Sequence, residues 1–587
     1  MSDHANGSPG LPIFDRRFFD GRERFTQIGR GALGGKASGL VFIREAITRA
    51  IDPAAYPGLA VDVPTMAVVT TEFFDDFVRQ NRLHELPVDE LPDDRIAHAF
   101  LHADLPTELV GDLWALTRKV HSPLAIRSSS LLEDALGRPF AGVYATKMIP
   151  NNQFDPDARF RRLVEAIKFV YASTYFREAR DYIRATDRAP SEEKMAVIIQ
   201  EVVGQRRGER FYPELSGVAR SYNFYPSGPA RPEEGVVNLA LGLGKTIVDG
   251  GLSWTYSPAH PGRSAPFGSV STMLEETQTE FWAVNMGKAP AYDPVSEVEY
   301  LVRADLAAAE ADEALRFLAS TYDADGDRLV VGVGRPGPRV LNFAPLLQIE
   351  ELPFNDVMRE LLRTAEQALG AKIEIEFAMT FDTPRDGPKT GRLGFLQVRP
   401  MVVSDELVEV TAGELADSRA LVASESVMGN GVRDDLQDVV YVRPEKFESR
   451  HTRAIAAQVE QVNQRLTELG RRYVLIGFGR WGSADPWLGI PVNWAQISGA
   501  RAIVETTAER MNVEASQGSH FFHNLSSFRV SYFTGHHEGP RPVDWRWLDA
   551  RPAEMETEFM RWVRLAAPLV VRVDGRTGRG VILREQA

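Results

Sequence analysis

At 587 residues the chain is long enough to bury several cores, and length alone suggests about three or four domains. A formal net charge of −14 excludes the clustered basic surface that a nucleic-acid backbone demands, while leaving room for one local basic pocket. The absence of cysteine removes disulfides, thiolate nucleophiles and cysteine-based zinc sites, and suits a reducing cytoplasm; no apolar run approaches the roughly 18 residues of a membrane-spanning helix.

Residues 1–24, without an apolar stretch of signal-peptide type, read as a disordered tail. Gly29-Arg30-Gly31-Ala32-Leu33-Gly34-Gly35-Lys36 then opens an apolar-periodic helix, Ala37–Ile47. Glycine backbone at a helix start is a phosphate-cradling arrangement. A Walker A loop is excluded, because Arg30 and Ala37 stand where it needs Gly and Ser or Thr. Val63–Thr71 reads as a strand running into a threonine-capped helix, Glu72–Leu83, with Phe73, Phe74 and Phe77 on its apolar face.

In Leu124–Thr146 a short apolar run ends in Arg127, whose planar guanidinium suits phosphate oxygens. Three serines, Glu133, Asp134 and the small turn Phe140-Ala141-Gly142 follow. Phe154–Ala185 is helical, with its aromatics read as core, and Met195–Val203 is the most strand-like run in the chain. Val236–Gly251 repeats strand, glycine turn and helix, but Leu239 occupies the first P-loop glycine, so Gly244-Lys245-Thr246 is not a Walker match. Asp323, Asp325 and Asp327 suggest a calcium loop; Arg328 and Gly334 stand where an EF-hand needs Gly and Glu, leaving an Asp-Gly hairpin. Ile373–Ala378 alternates, placing Glu374 and Glu376 on one strand face, and Gly394–Arg399 does the same for Gln397 and Arg399. Side by side, these strands would gather carboxylate, amide oxygen and guanidinium into a reasonable floor for Mg-ATP.

The segment Arg127-Ser128-Ser129, Glu133-Asp134, Phe140-Ala141-Gly142 resembles the signature of the nucleotide-binding domain shared by phosphoenolpyruvate synthase, pyruvate phosphate dikinase and rifampicin phosphotransferase. Gly34-Gly35-Lys36, Gly242-Leu243-Gly244 and Gln397-Val398-Arg399-Pro400 match further motifs in that family's order. The resemblance implies an ATP-grasp fold in which Lys36, Arg127 and Arg399 meet the phosphates and Glu376 and Gln397 hold Mg2+. It further implies that the strand end at Gln200, Glu201 and Val203 reads adenine, and that Gly34, Gly35, Gly142, Gly242 and Gly244 form the glycine loops. Lys245 departs from the acid usual after the second glycine turn.

The remaining third, polar and acidic at first, is expected to hold a linker at 403–435 and a smaller α/β domain at 436–587. It is too short for the family's roughly 250-residue barrel. A helix is expected over Glu445–Leu469 and strands over Tyr473–Phe478 and Ala502–Glu505, flanking a loop in which Arg480, Trp481 and Asp485 suggest an acceptor pocket. Ser519-His520 echoes the family's phosphohistidine loop, although Phe521 and Phe522 replace small residues; His520 is the candidate catalytic nucleophile, with a buried core histidine as the plainer alternative. The expectation is therefore an α/β (α+β) protein, with ATP-grasp subdomains at 25–210 and 211–402 and a divergent, phosphohistidine-like C-terminal domain. It would be a cytoplasmic phosphotransferase of the dikinase type, using ATP and Mg2+ on an unidentified acceptor, with neither nucleic acid nor membrane as partner. A non-catalytic ATP-binding regulator and an ATP-grasp ligase are the rival readings.

Overall fold

The computed structural model describes residues 11–131, 133, 142–185, 193–226, 228–262, 270, 273–274, 277–384, 387–403, 408–483, 485, 487–507, 525, 528–537 and 542–584. The fold is mixed α/β and divides into two compact units. The first takes residues 1–221, 235–246 and 252–400; the second takes 222–234, 247–251 and 401–587.

Two sheets dominate the first unit. Strands β1 (Phe25–Ile28), β2 (Leu59–Asp62), β3 (Met66–Val69), β4 (Leu124–Ser130), β5 (Thr146–Ile149) and β6 (Met195–Glu201) come first in the chain. Five of them form a sheet in the order β1-β3-β6-β4-β5. The second sheet adds β7 (Leu215–Arg220), β8 (Val236–Leu241), β9 (Trp254–Tyr256), β10 (Ile373–Asp382) and β11 (Thr390–Pro400), in the order β9-β8-β7-β10-β11-β2. Because β2 pairs in parallel with β11, with Leu59 opposite Gly391, the expected division at residues 210 and 211 is crossed by a strand from the earlier segment. The segment 322–333 is a hairpin with Asp323 opposite Arg328.

Helices α1 (Gly35–Ala50), α2 (Thr71–Gln80), α3 (Pro156–Ser173) and α4 (Phe354–Leu369) bury apolar faces in this unit. Phe74 and Phe77 of α2 meet the Tyr171 ring of α3 at 5.1 and 5.5 Å, so these aromatics are packing residues. The helix preceded by Thr70 is not capped by that side chain: the Thr70 hydroxyl donates to the Ile28 carbonyl at 3.2 Å and ties β1 to the start of α2.

The second unit is built on a nine-stranded sheet. Its centre is β12 (Gly431–Val442), β13 (Tyr473–Phe478), β14 (Ala500–Thr506) and β15 (Ser531–Gly535), all parallel and adjacent in chain order. The long strand β16 (Met560–Asp574) returns antiparallel beside β12, followed by β17 (Arg579–Leu583). The two ends of this sheet, Ala420–Ser424 and Val427–Met428, are consecutive in sequence, and the Ser424 hydroxyl donates to the Thr534 carbonyl in β15 at 2.5 Å. The sheet therefore curls back on itself. Helix α5 (Thr452–Glu468) connects β12 to β13.

The stretch 403–435, expected to be a linker, supplies both end strands of this sheet and the start of β12. It looks polar because Asp434 and Asp435 are exposed on the outer part of β12, together with Val432. Trp481 does not line a pocket: it is fully buried, its ring lies where a Cβ on Gly477 would sit, and its indole N–H donates to the Val504 carbonyl at 3.3 Å.

The glycine turns differ in what they demand. At Gly34, with φ of 75°, an added Cβ would fall 1.7 Å from the Ser129 carbonyl oxygen, whereas at Gly244 the nearest atom, Ser216 Cβ, is 3.8 Å away. Gly34→Ala should therefore lower unfolding free energy by more than about 2 kcal/mol, while Gly244→Ala should stay within about 0.5 kcal/mol, as read by chemical denaturation.

Candidate functional site

The β10–β11 pair forms the floor expected from alternation. Glu374 lies directly opposite Arg399 and Glu376 opposite Gln397, with a register shift immediately after Glu376. Arg399, 1 % exposed, donates through Nε to Glu374 Oε1 at 2.7 Å, also through Nη2 to the same oxygen, and lies 3.4 Å from Glu376 Oε1. The other oxygen of Glu374 accepts from Arg220 Nε at 2.6 Å, and Arg220 Nη1 reaches Asn238 Oδ1 at 3.3 Å. One buried carboxylate thus holds two buried guanidinium groups. Arg399, expected to meet phosphates, is here buried in an ion-pair network centred on Glu374, with the part-exposed Glu376 at its edge.

Arg127 joins this floor from the other sheet. It leaves β4 and donates to the Leu396 carbonyl at 2.7 Å, Gln397 Oε1 at 2.6 Å and Gln200 Oε1 at 3.1 Å; Glu376 Oε2 lies at 3.5 Å. Gln200 belongs beside this cation through its side chain, a relation no local sequence pattern announces. Its amide Nε2 is buried and has no hydrogen-bond partner among the described residues. The backbone N–H of Glu201 donates to the Thr65 carbonyl, and Val203 packs where a Cβ on Gly394 would sit.

Lys36, in the first turn of α1, forms a second centre. Its Nζ lies 2.8 Å from Glu133 Oε1 and 3.1 Å from Ser128 Oγ, and its side chain is 10 % exposed. Glu133 also accepts from the Ser128 hydroxyl and from the Ser130 backbone N–H, each at 2.9 Å. A Cβ on Gly35 would fall 1.7 Å from the Glu133 carbonyl oxygen, so the two glycines before Lys36 let α1 press against the backbone that follows β4. Gly242, with φ of 82°, serves a similar close approach to the Trp282 carbonyl.

Gly142 is described, with φ of 69°. Asp134, Phe140 and Ala141 of the motif lie outside the described residues, as do Ser519, His520, Phe521 and Phe522. Among the described residues, no group of three or more His, Cys, Asp or Glu is arranged for a metal ion, and no helix is long and apolar enough to cross a membrane. Glu376 and Gln397 offer hard oxygen donors at opposed positions, which suits a Mg2+ ion that completes its shell with substrate phosphates and water.

A buried acid within reach of the Glu133 charge escaped sequence reading. Glu193 accepts from the Tyr144 hydroxyl at 2.8 Å and from the Lys194 backbone N–H at 3.1 Å. Burial pushes its carboxyl up to about 7; hydrogen bonds from Tyr144 and Ser130 oppose that and the Glu133 charge adds to it. The proton it keeps in the folded state favours folding fully below pH 4.5, and that contribution is lost as pH rises through about 7. Stability should fall by about 2–3 kcal/mol across this window, and thermal melts of Glu193→Gln, which has no proton to lose, should show that slope removed.

Residues 30–419, two-thirds of the chain, match the family described as pyruvate phosphate dikinase, AMP/ATP-binding domain. A curated relative, "Uncharacterized phosphotransferase YvkC" of Bacillus subtilis (strain 168), is 24% identical over 193 residues. That match takes 32% of this chain and spans about a fifth of the relative's length, 20%.

Proposed function

The chain belongs to the pyruvate phosphate dikinase AMP/ATP-binding domain family, and from that membership we propose that it is an ATP-dependent phosphotransferase whose Mg-ATP site is built from Lys36, Arg127, Glu376 and Gln397. The family supports an ATP-binding role of the kinase or dikinase type. One observation carries the assignment to these residues: Arg127 on β4 and the Glu376–Gln397 pair on β10 and β11, remote in sequence, share hydrogen-bond and ion-pair contacts at one place. In phosphoryl transfer the protein's work is positioning and charge stabilisation, and a guanidinium, an ammonium and a metal floor supply both. Magnesium would take Glu376 and Gln397 oxygens and neutralise phosphate charge. We propose as acceptor a histidine, for which His520 is the candidate, or else an unidentified small molecule or protein.

Two experiments test the reading. Lys36→Ala and Arg127→Ala should each weaken ATP binding about ten- to a hundredfold in calorimetry, the loss of a charge-assisted contact. Unchanged affinity in both would refute the site. Product analysis then fixes the reaction class: AMP marks a dikinase, ADP a ligase or simple kinase, and no turnover a regulator.

The contacts of Arg127 generate a further expectation. It engages the same Glu376 and Gln397 groups that the metal would need, so Arg127→Met should bind Mn2+ more tightly in the absence of nucleotide while binding ATP more weakly. Electron paramagnetic resonance reads the first change and calorimetry the second; parallel losses in both would show that Arg127 does not compete with the metal.

A further inference from the structure

We propose that Glu133 is the positioning residue of the nucleotide site, holding the Lys36 ammonium so that its remaining N–H donor faces the phosphate chain. The inference rests on the reading of Lys36 as a phosphate contact. A lysine ammonium carries three N–H donors. Lys36 gives one to Glu133 Oε1 at 2.8 Å and one to Ser128 Oγ at 3.1 Å, which leaves one for a ligand. A four-carbon chain has about 2 kcal/mol of rotamer freedom to lose, and an ammonium already pinned at two points has lost most of it before ligand arrives.

Glu133 cannot act on substrate directly. Its side chain is 1 % exposed, Oε1 serves Lys36 and Ser128, and Oε2 accepts the Ser130 backbone N–H at 2.9 Å. Its own backbone N–H donates to the Ser130 hydroxyl at 3.1 Å, closing a small ring at the end of β4. The ring is fastened to α1 as well: the Ser129 hydroxyl donates to the Leu33 carbonyl at 2.8 Å and accepts from the Ala37 N–H at 3.0 Å. Gly34 and Gly35 permit this fastening, because any side chain there would strike the Ser129 and Glu133 carbonyls. The position of Lys36 is thus set by a rigid assembly in which Glu133 is the charged member.

The sign of the effect separates positioning from bulk electrostatics. Removing a carboxylate near a polyphosphate should tighten binding if charge alone matters. Removing the group that aims Lys36 should weaken it. Calorimetry with ATP and with adenosine on wild type, Glu133→Gln, Lys36→Ala and the double variant decides the matter. Glu133→Gln should weaken ATP about tenfold, leave adenosine unchanged, and add no further loss once Lys36 is alanine. Tighter ATP binding, an equal loss for adenosine, or additive losses in the double variant would overturn the proposal while leaving the nucleotide site intact. An unaffected Lys36→Ala would instead remove the site reading on which it rests. If Glu133→Gln does not fold, Ser128→Ala takes its place: it removes the other acceptor of Lys36, should weaken ATP about threefold with no effect on adenosine or in the Lys36→Ala background, and overturns the proposal if it does neither.

Discussion

A single carboxylate, Glu374, pairs with two guanidinium groups that the fold has taken out of water, and the geometry of the candidate site follows from that demand. An unpaired buried cation is costly, so Arg220 on β7 and Arg399 on β11 must both meet the carboxylate standing between them on β10. That fixes three adjacent strands by charge as well as by backbone pairing. Two residues along β10, Glu376 is carried to the same face, opposite Gln397, and Arg127 can reach both. In a protein of net charge −14, this first unit thus holds four cations, Arg127, Arg220, Arg399 and Lys36, each paired with a carboxylate of the fold.

Period-two alternation made the β10 and β11 faces legible, since Glu374, Glu376, Gln397 and Arg399 are spaced to emerge together. Sequence also separated real from false loops: the 322–333 segment folds as a hairpin in which Arg328, standing where an EF-hand needs glycine, faces Asp323 across the turn. What sequence could not show is anything fixed by distance along the chain. Arg127 and Gln397 meet across 270 positions, and Gln200 joins them through an amide no local pattern distinguishes from a core strand residue. The second unit draws residues 222–234 and 247–251 from the middle of the chain, so no compositional boundary marks it. Trp481 misled for a related reason: a Gly-rich, Trp-rich stretch resembles a binding loop, yet its tryptophan fills the space Gly477 leaves open.

The first glycine motif was legible as glycine and misread in part as to cause. Gly34 and Gly35 are required by the backbone of Ser129 and Glu133, which approaches too closely for any side chain. That requirement is one of packing, and it accounts for the motif before any ligand is considered. It nevertheless serves the site, because the first turn of α1 is the element that carries Lys36, and the carbonyls it presses against belong to the segment that supplies Ser128 and Glu133.

Without Arg127 the partly buried Glu376 carboxylate would keep only its 3.4 Å contact with Arg399, at a cost that marginal stability tolerates poorly. Arg127 meets that cost from within the fold, at 2.6 Å from the amide oxygen and 3.5 Å from the carboxylate. This guanidinium and its carboxylate are 11 % and 15 % exposed, whereas the side chains of the Arg399–Glu374 pair are only 1–2 % exposed. The network is thus graded. Its innermost members, Glu374 and Arg399, are closed off, while Arg127, at 11 % side-chain exposure, stands at its margin, as Lys36, at 10 %, does in its own pair with Glu133; these are the cations that the proposed site would turn toward phosphate.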